Sequence, residues 1–182
     1  MPRYIAFLRA LNVGGHIIKM DHLRGHFEKL GFAKVESFIA SGNVIFEASS
    51  QPAENISAKI EDFLGKTLGY PVATFVRTDS EVAAIVKYRP FREADLKSAA
   101  AFCVGLLADP LGRDAQKLLM QFKTGIDDFH SHGREVYWLC KKNQSESTFS
   151  NNSFEKRLKI RTTFRGMNTM ARLSAKYPPP NQ

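Results

Sequence analysis

Arg9, Asn12, Gly14, Gly15 and Lys19 fall within eleven residues and have the types that hold an anion. A pair of glycines lets main-chain N–H groups approach a negative guest closely, and a helix start just beyond would aim further donors at it. Arg9 would supply a planar fork and Lys19 a mobile point charge. Ser41 and Asn43, on either side of Gly42, and Arg165 near the end of the chain are candidates to complete such a corner. The plainer reading is that Gly14 and Gly15 make a turn, Asn12 satisfies local backbone, and Ser41-Gly42-Asn43 is hairpin composition. The loop has neither the GxGxxG nor the GxxxxGK[ST] pattern, so no nucleotide cofactor is expected by either route.

A second group of cations is concentrated late in the chain. From Lys141 onward there are nine Lys or Arg against Glu146 and Glu155, whereas the whole chain carries a net charge of +8. Lys156, Arg157, Lys159, Arg161, Arg165 and Arg172 could hold nucleic acid by counterion release, and a solvated basic face explains them equally. The strands YIAFLR and NVIFEA lack the basic, aromatic signature of an RNA-recognition sheet. No metal site is expected: His22 and His26 lie beside an apolar stripe as a solvated flank, and His130 and His132 have no third ligand. Asp127-Asp128 reads as a solvated strand edge. There is no GxSxG elbow, and Cys103 and Cys140 sit in apolar strands where a thiolate is costly, so no nucleophile is assigned.

The elements that must position these residues follow from periodicity. Tyr4 to Arg9 reads as a strand, and Met20, Leu23, Phe27 and Leu30 form one helical stripe stopped by Gly31. Lys34 to Ala40 and Val44 to Ala48 are two more strands. A helix with Ile56, Ile60, Phe63, Leu64 and Leu68 inward precedes a fourth, Val72 to Arg77. Strand, helix, strand, strand, helix, strand is the ferredoxin-like order. Thr78 and Glu81 have capping-box spacing and open a short extra helix.

The same grammar returns with strand Ala101 to Leu107, a helix opened by Asp109-Pro110, and strands Ile126 to His130 and Glu135 to Cys140. A helix with Phe149, Phe154 and Leu158 follows, then a strand near Ile160 to Thr163 and a last helix near Asn168 to Lys176. The expected fold is α+β: two ferredoxin-like plait halves with mainly antiparallel sheets and helices on one face of each. The halves are expected at 1–88 and 100–176, with a linker at 89–99 and a tail at 177–182.

Arg9-Ala10-Leu11-Asn12-Val13-Gly14-Gly15, then Lys19-Met20, resembles the opening motif of the family named domain of unknown function 1697. Phe38 to Phe46 and Thr163 to Thr169 fall where that family has comparable segments, and the likeness extends along the chain. It implies a bacterial-type protein of two ferredoxin-like halves and implies no established activity.

Composition narrows the classes further. Hydrophobic residues at 43% and charged residues at 24% exclude a disordered chain. No apolar run approaches the roughly 18 residues of a membrane span, and two isolated cysteines suit a reducing, cytoplasmic compartment. A small anionic ligand and nucleic acid are the expected partners, an enzymatic site between the halves is a third reading, and a homodimer is compatible with exposed sheet edges.

Overall fold

The computed structural model describes residues 1–12, 14–39 and 42–180. The chain forms two compact units, residues 1–83 with 176–182, and residues 84–175.

In the first unit, β1 (Arg3–Leu8), α1 (Met20–Lys29), β2 (Ala33–Ser37), β3 (Asn43–Glu47), α2 (Ala53–Leu68) and β4 (Thr74–Thr78) follow in chain order. They build one antiparallel sheet ordered β2-β3-β1-β4. Alternation sends Tyr4, Ala6 and Leu8 of β1, with Val44, Phe46 and Val76, to one face. There they share a core with Leu23 and Phe27 of α1 and Ile56, Ile60 and Leu64 of α2. Each such large side chain contributes about 1.5–3 kcal/mol when fully buried. Gly42 joins the hairpin to the sheet: its carbonyl accepts from Leu8 N–H at 2.8 Å. Its φ is +73°, and a Cβ there would lie 2.9 Å from Leu11 Cδ1 and 3.2 Å from Leu8 Cβ, so any larger residue is strained.

The chain continues through α3 (Asp79–Lys87), opened by the expected reciprocal pair, Thr78 N to Glu81 Oε2 at 2.8 Å and Glu81 N to Thr78 Oγ1 at 3.1 Å. The stretch 89–99, expected as a linker, contains a helix, α4 (Glu93–Ser98).

The second unit repeats the plan with β5 (Ala101–Leu106), α5 (Arg113–Met120), β6 (Asp127–His132), β7 (Glu135–Cys140), α6 (Asn151–Leu158) and β8 (Thr163–Gly166), and α7 (Met167–Lys176) follows. Its sheet is ordered β6-β7-β5-β8. Cys103, Phe129, Trp138, Phe149, Phe154 and Leu158 share its core; Phe149, expected in α6, precedes it, because Ser150 caps the helix and the Phe149 N–H binds Ser147 Oγ at 3.0 Å.

Several elements differ from expectation. α5 begins at Arg113 because Gly112, with ψ 165°, is still extended, so Asp109-Pro110 precede the helix. β8 lies three residues later than expected: Lys159 ends α6 in a left-handed turn, and Thr162 N–H binds Glu155 Oε1 at 3.0 Å before the chain can pair with β5. Asp127 is buried, not solvated: its Oδ1 accepts from Trp138 Nε1 at 2.8 Å and Ser147 Oγ at 2.9 Å. His26 is half-buried rather than solvated, and burial lowers its pKa. The described part of the tail, residues 177–180, belongs to the first unit, where Tyr177 is buried and donates to Glu36 Oε2 at 2.6 Å.

Registers align the two sheets residue by residue. Leu8 N–H binds Gly42 O, and Leu107 N–H binds Arg134 O, at matching points of the two plaits. Counting from there, Tyr4 opposes Phe46 and Thr78, and Cys103 opposes Trp138 and Gly166. Cys103 therefore stands where the first sheet has Tyr4, and Met167 stands where it has Asp79.

Candidate functional site

Antiparallel pairing brings the start of β5 beside the ends of β7 and β8: Ala101 faces Cys140, and Cys103 faces Gly166. α7 begins at the next residue, and a 3-10 turn at Gln144–Glu146 follows β7. At this end of the second sheet lies a cavity of about 710 Å³, lined among others by Arg89, Phe102, Cys103, Gln144, Met167 and Asn168.

The corresponding end of the first sheet carries a large ring and an ion pair. Tyr4 occupies the Cys103 position and bonds its hydroxyl to Gln51 O at 3.2 Å. Arg3, at the Phe102 position, lies 3.6 Å from Asp79 and donates to Pro178 O at 3.1 Å. In the second sheet the ring is replaced by a thiol and the ion pair by Phe102 and Met167. The thiol is much smaller than the ring it replaces, and Phe102 and Met167 carry no charge, so the cavity forms beside Cys103.

Arg89 is the one charged side chain among the residues lining the cavity. Its Nη1 donates to Val86 O at 2.7 Å and Tyr88 O at 3.2 Å, which orients the guanidinium at the end of α3. Among the described residues no carboxylate pairs with it. Gln144 Nε2 donates to Cys103 Sγ at 2.9 Å. Burial pushes the Cys103 pKa up to about 11, against the lowering effect of that hydrogen bond, so the thiol is neutral at ordinary pH. Such a wall offers no nucleophile; it suits binding by hydrogen bonds, apolar contact and one positive charge.

The structure places the sequence-selected residues as follows. Arg9, Asn12, Gly14, Gly15 and Lys19 share the loop between β1 and α1, and Gly14 and Gly15 have consecutive positive φ values of 64° and 85°. Asn12 Oδ1 accepts from Ile18 N–H at 3.0 Å, tying the loop to itself. Lys19 is exposed and precedes α1 without a side-chain cap. Asn43 is fully buried, and its Nδ2 donates to Phe38 O at 3.1 Å, a structural role. Ser41 lies outside the described residues.

Arg165 belongs to the second unit, where its Nη1 donates to Thr163 Oγ1 at 2.7 Å and Phe164 O at 3.0 Å. Lys156, Arg157, Lys159, Arg161 and Arg172 are all exposed. Arg157 also binds Gln121 and lies 5.8 Å from the Phe122 ring centre. Sequence reasoning did not select Arg89, Cys103 or Gln144 as binding residues. Arg89 lies in a stretch without periodicity, and only strand register brings Gln144 to Cys103.

Among the described residues, no group of three or more His, Cys, Asp or Glu could hold a metal ion, and no helix is long and apolar enough to cross a membrane. No curated protein matches the chain. A solved structure described as conserved bacterial protein SP0830 from Streptococcus pneumoniae is similar to it, with a TM-score of 0.72 and 20% identity over 98% of this chain and 99% of that one. This likeness supports the shared fold. The family model described as protein of unknown function (DUF1697) matches residues 1–137, and with two plaits of one strand order on the page, the chain belongs to that family.

Proposed function

We propose that this protein binds a small anionic molecule in the cavity of its second unit. The observation that carries the reading is a cavity of about 710 Å³ whose charged lining is a single arginine without an acidic partner among the described residues. That volume lies within the roughly 300–1,000 Å³ of small-ligand pockets. A phosphate or carboxylate would meet Arg89 by charge-assisted hydrogen bonds, with Met167 and Asn168 adding the electropositive first turn of α7. The apolar walls would cover the rest of the ligand.

Ligand binding to the native state raises its stability, by about 2.7 kcal/mol at a hundredfold excess over Kd. A thermal-shift screen of phosphorylated metabolites and carboxylates should therefore find stabilisers of the wild type that do not stabilise Arg89→Ala. Equal shifts in both proteins would remove the cavity from consideration.

A second reading places an anion at the glycine loop, favoured by the consecutive left-handed glycines and the uncapped start of α1. It predicts that phosphate stabilisation is lost in Lys19→Ala and kept in Arg89→Ala.

A further inference from the structure

Besides Arg89, the polar side chains lining the cavity include three carboxamides, Asn143, Gln144 and Asn168, and there is no carboxylate among the lining residues. A carboxamide presents a donor and an acceptor side by side in one plane. This matches the edges of purines and pyrimidines, which also alternate donors and acceptors, and Asn and Gln recognise bases in this way. Gln144 has committed its amide nitrogen to Cys103 and so offers its oxygen; the Asn143 side-chain oxygen accepts from the Glu146 N–H in a capping box, so Asn143 offers its nitrogen; exposed Asn168 offers both groups. Leu96, Phe102 and Met167 supply apolar wall that a flat ring can cover.

Other anions fit this lining less well. Inorganic phosphate or a sugar phosphate would satisfy Arg89 but leave the apolar wall uncovered and the amides half used. An amino acid would bring an ammonium group, for which the lining has no counter-charge.

We infer that the ligand is a free nucleoside monophosphate, with its base among the amides and apolar wall and its phosphate at Arg89. This rests on the cavity being the anionic-ligand site proposed above. The shared chemistry of base and phosphate could also come from the end of a nucleic-acid strand, so the test includes both sources.

The experiment is calorimetric titration of the full chain with the four common nucleoside monophosphates, ribose 5-phosphate, inorganic phosphate and a trinucleotide. Protection of Cys103 from N-ethylmaleimide, read by mass spectrometry, gives a second measure of occupancy. At least one mononucleotide should bind, slow labelling of Cys103, and exceed ribose 5-phosphate in affinity by about tenfold or more, the equivalent of one or two hydrogen bonds. Asn168→Ala should lose about tenfold for that nucleotide and little for ribose 5-phosphate. Asn168 is exposed, so its removal leaves the fold intact. Equal affinity for ribose 5-phosphate, lost in Arg89→Ala, would overturn the base assignment and leave the anion site standing. Absence of binding and of protection by every compound would overturn both. A trinucleotide that binds tenfold more tightly than any mononucleotide would overturn the assignment to a free nucleotide.

Discussion

Tyr177 donates its hydroxyl to Glu36 on edge strand β2, and Tyr88 pairs its hydroxyl with His130 Nε2 at 2.9 Å on edge strand β6. Glu36 faces Ile45, and His130 faces Tyr137, at equivalent points of the two registers. Each tyrosine is the first residue after the helix that follows its preceding plait's last strand. The two plaits are thus copies of one plan down to a tyrosine latch, although the latched residues differ.

The Tyr177 hydrogen bond is the largest influence holding the Glu36 pKa below its ordinary value, with Lys176 and Arg3 also lowering it. A depressed carboxylate pKa stabilises the fold above the unfolded value, and that contribution is lost as pH falls through the folded one. Tyr177→Phe should raise the Glu36 pKa in an NMR titration and reduce the loss of stability between neutral and acid pH attributable to this group. An unchanged Glu36 titration would show that the latch is electrostatically idle.

Arg77 and Arg165 are a second equivalent pair, facing Ile5 and Val104. Each donates through Nη1 to the carbonyl of the residue before it, at 2.9 and 3.0 Å. Arg77 is 1% exposed, so truncating it strands buried polar groups. Arg77→Ala should cost about 3–5 kcal/mol in urea unfolding, and half-buried Arg165 should cost less on truncation.

Gly105 faces Phe164 across β5 and β8, and a Cβ there would come within 2.7 Å of the ring. Gly105→Ala should destabilise by about 1–3 kcal/mol through overpacking. Phe164→Leu should recover part of this in a double-mutant cycle, because the two positions share one space.

Cys103 should be alkylated slowly but measurably at pH 8 in the native protein and much faster after unfolding, since burial keeps its thiol protonated up to about pH 11. The native state then binds more protons than the unfolded chain as pH rises above the ordinary thiol value. Stability should therefore fall from about pH 9 to pH 11 by about 2–3 kcal/mol from this residue, a loss absent in Cys103→Ser.

Hydrophobic period and turn composition made the element order readable: Tyr4, Ala6 and Leu8 alternate, Ile56, Ile60 and Leu64 recur along a helix, and Gly69 ends it with φ +80°. Boundaries were less readable where pairing overrode local preference. Ile160 to Thr163 has strand composition, yet β8 waits until Thr163 can face Leu106. The repeat was readable in the order of elements and hidden residue by residue, because Tyr4 and Cys103, or Glu36 and His130, have no chemical likeness; only their registers equate them.

By itself, then, the sequence determined which residues prefer core or solvent and in what order helices and strands occur, because these depend on spacings of a few residues. The tertiary structure decided that Asp127 serves Trp138, that Gln144 covers Cys103, and that a cavity lies beside Cys103 at the end of the second sheet. Those outcomes depend on side-chain volumes brought together from distant strands, and no local spacing encodes them.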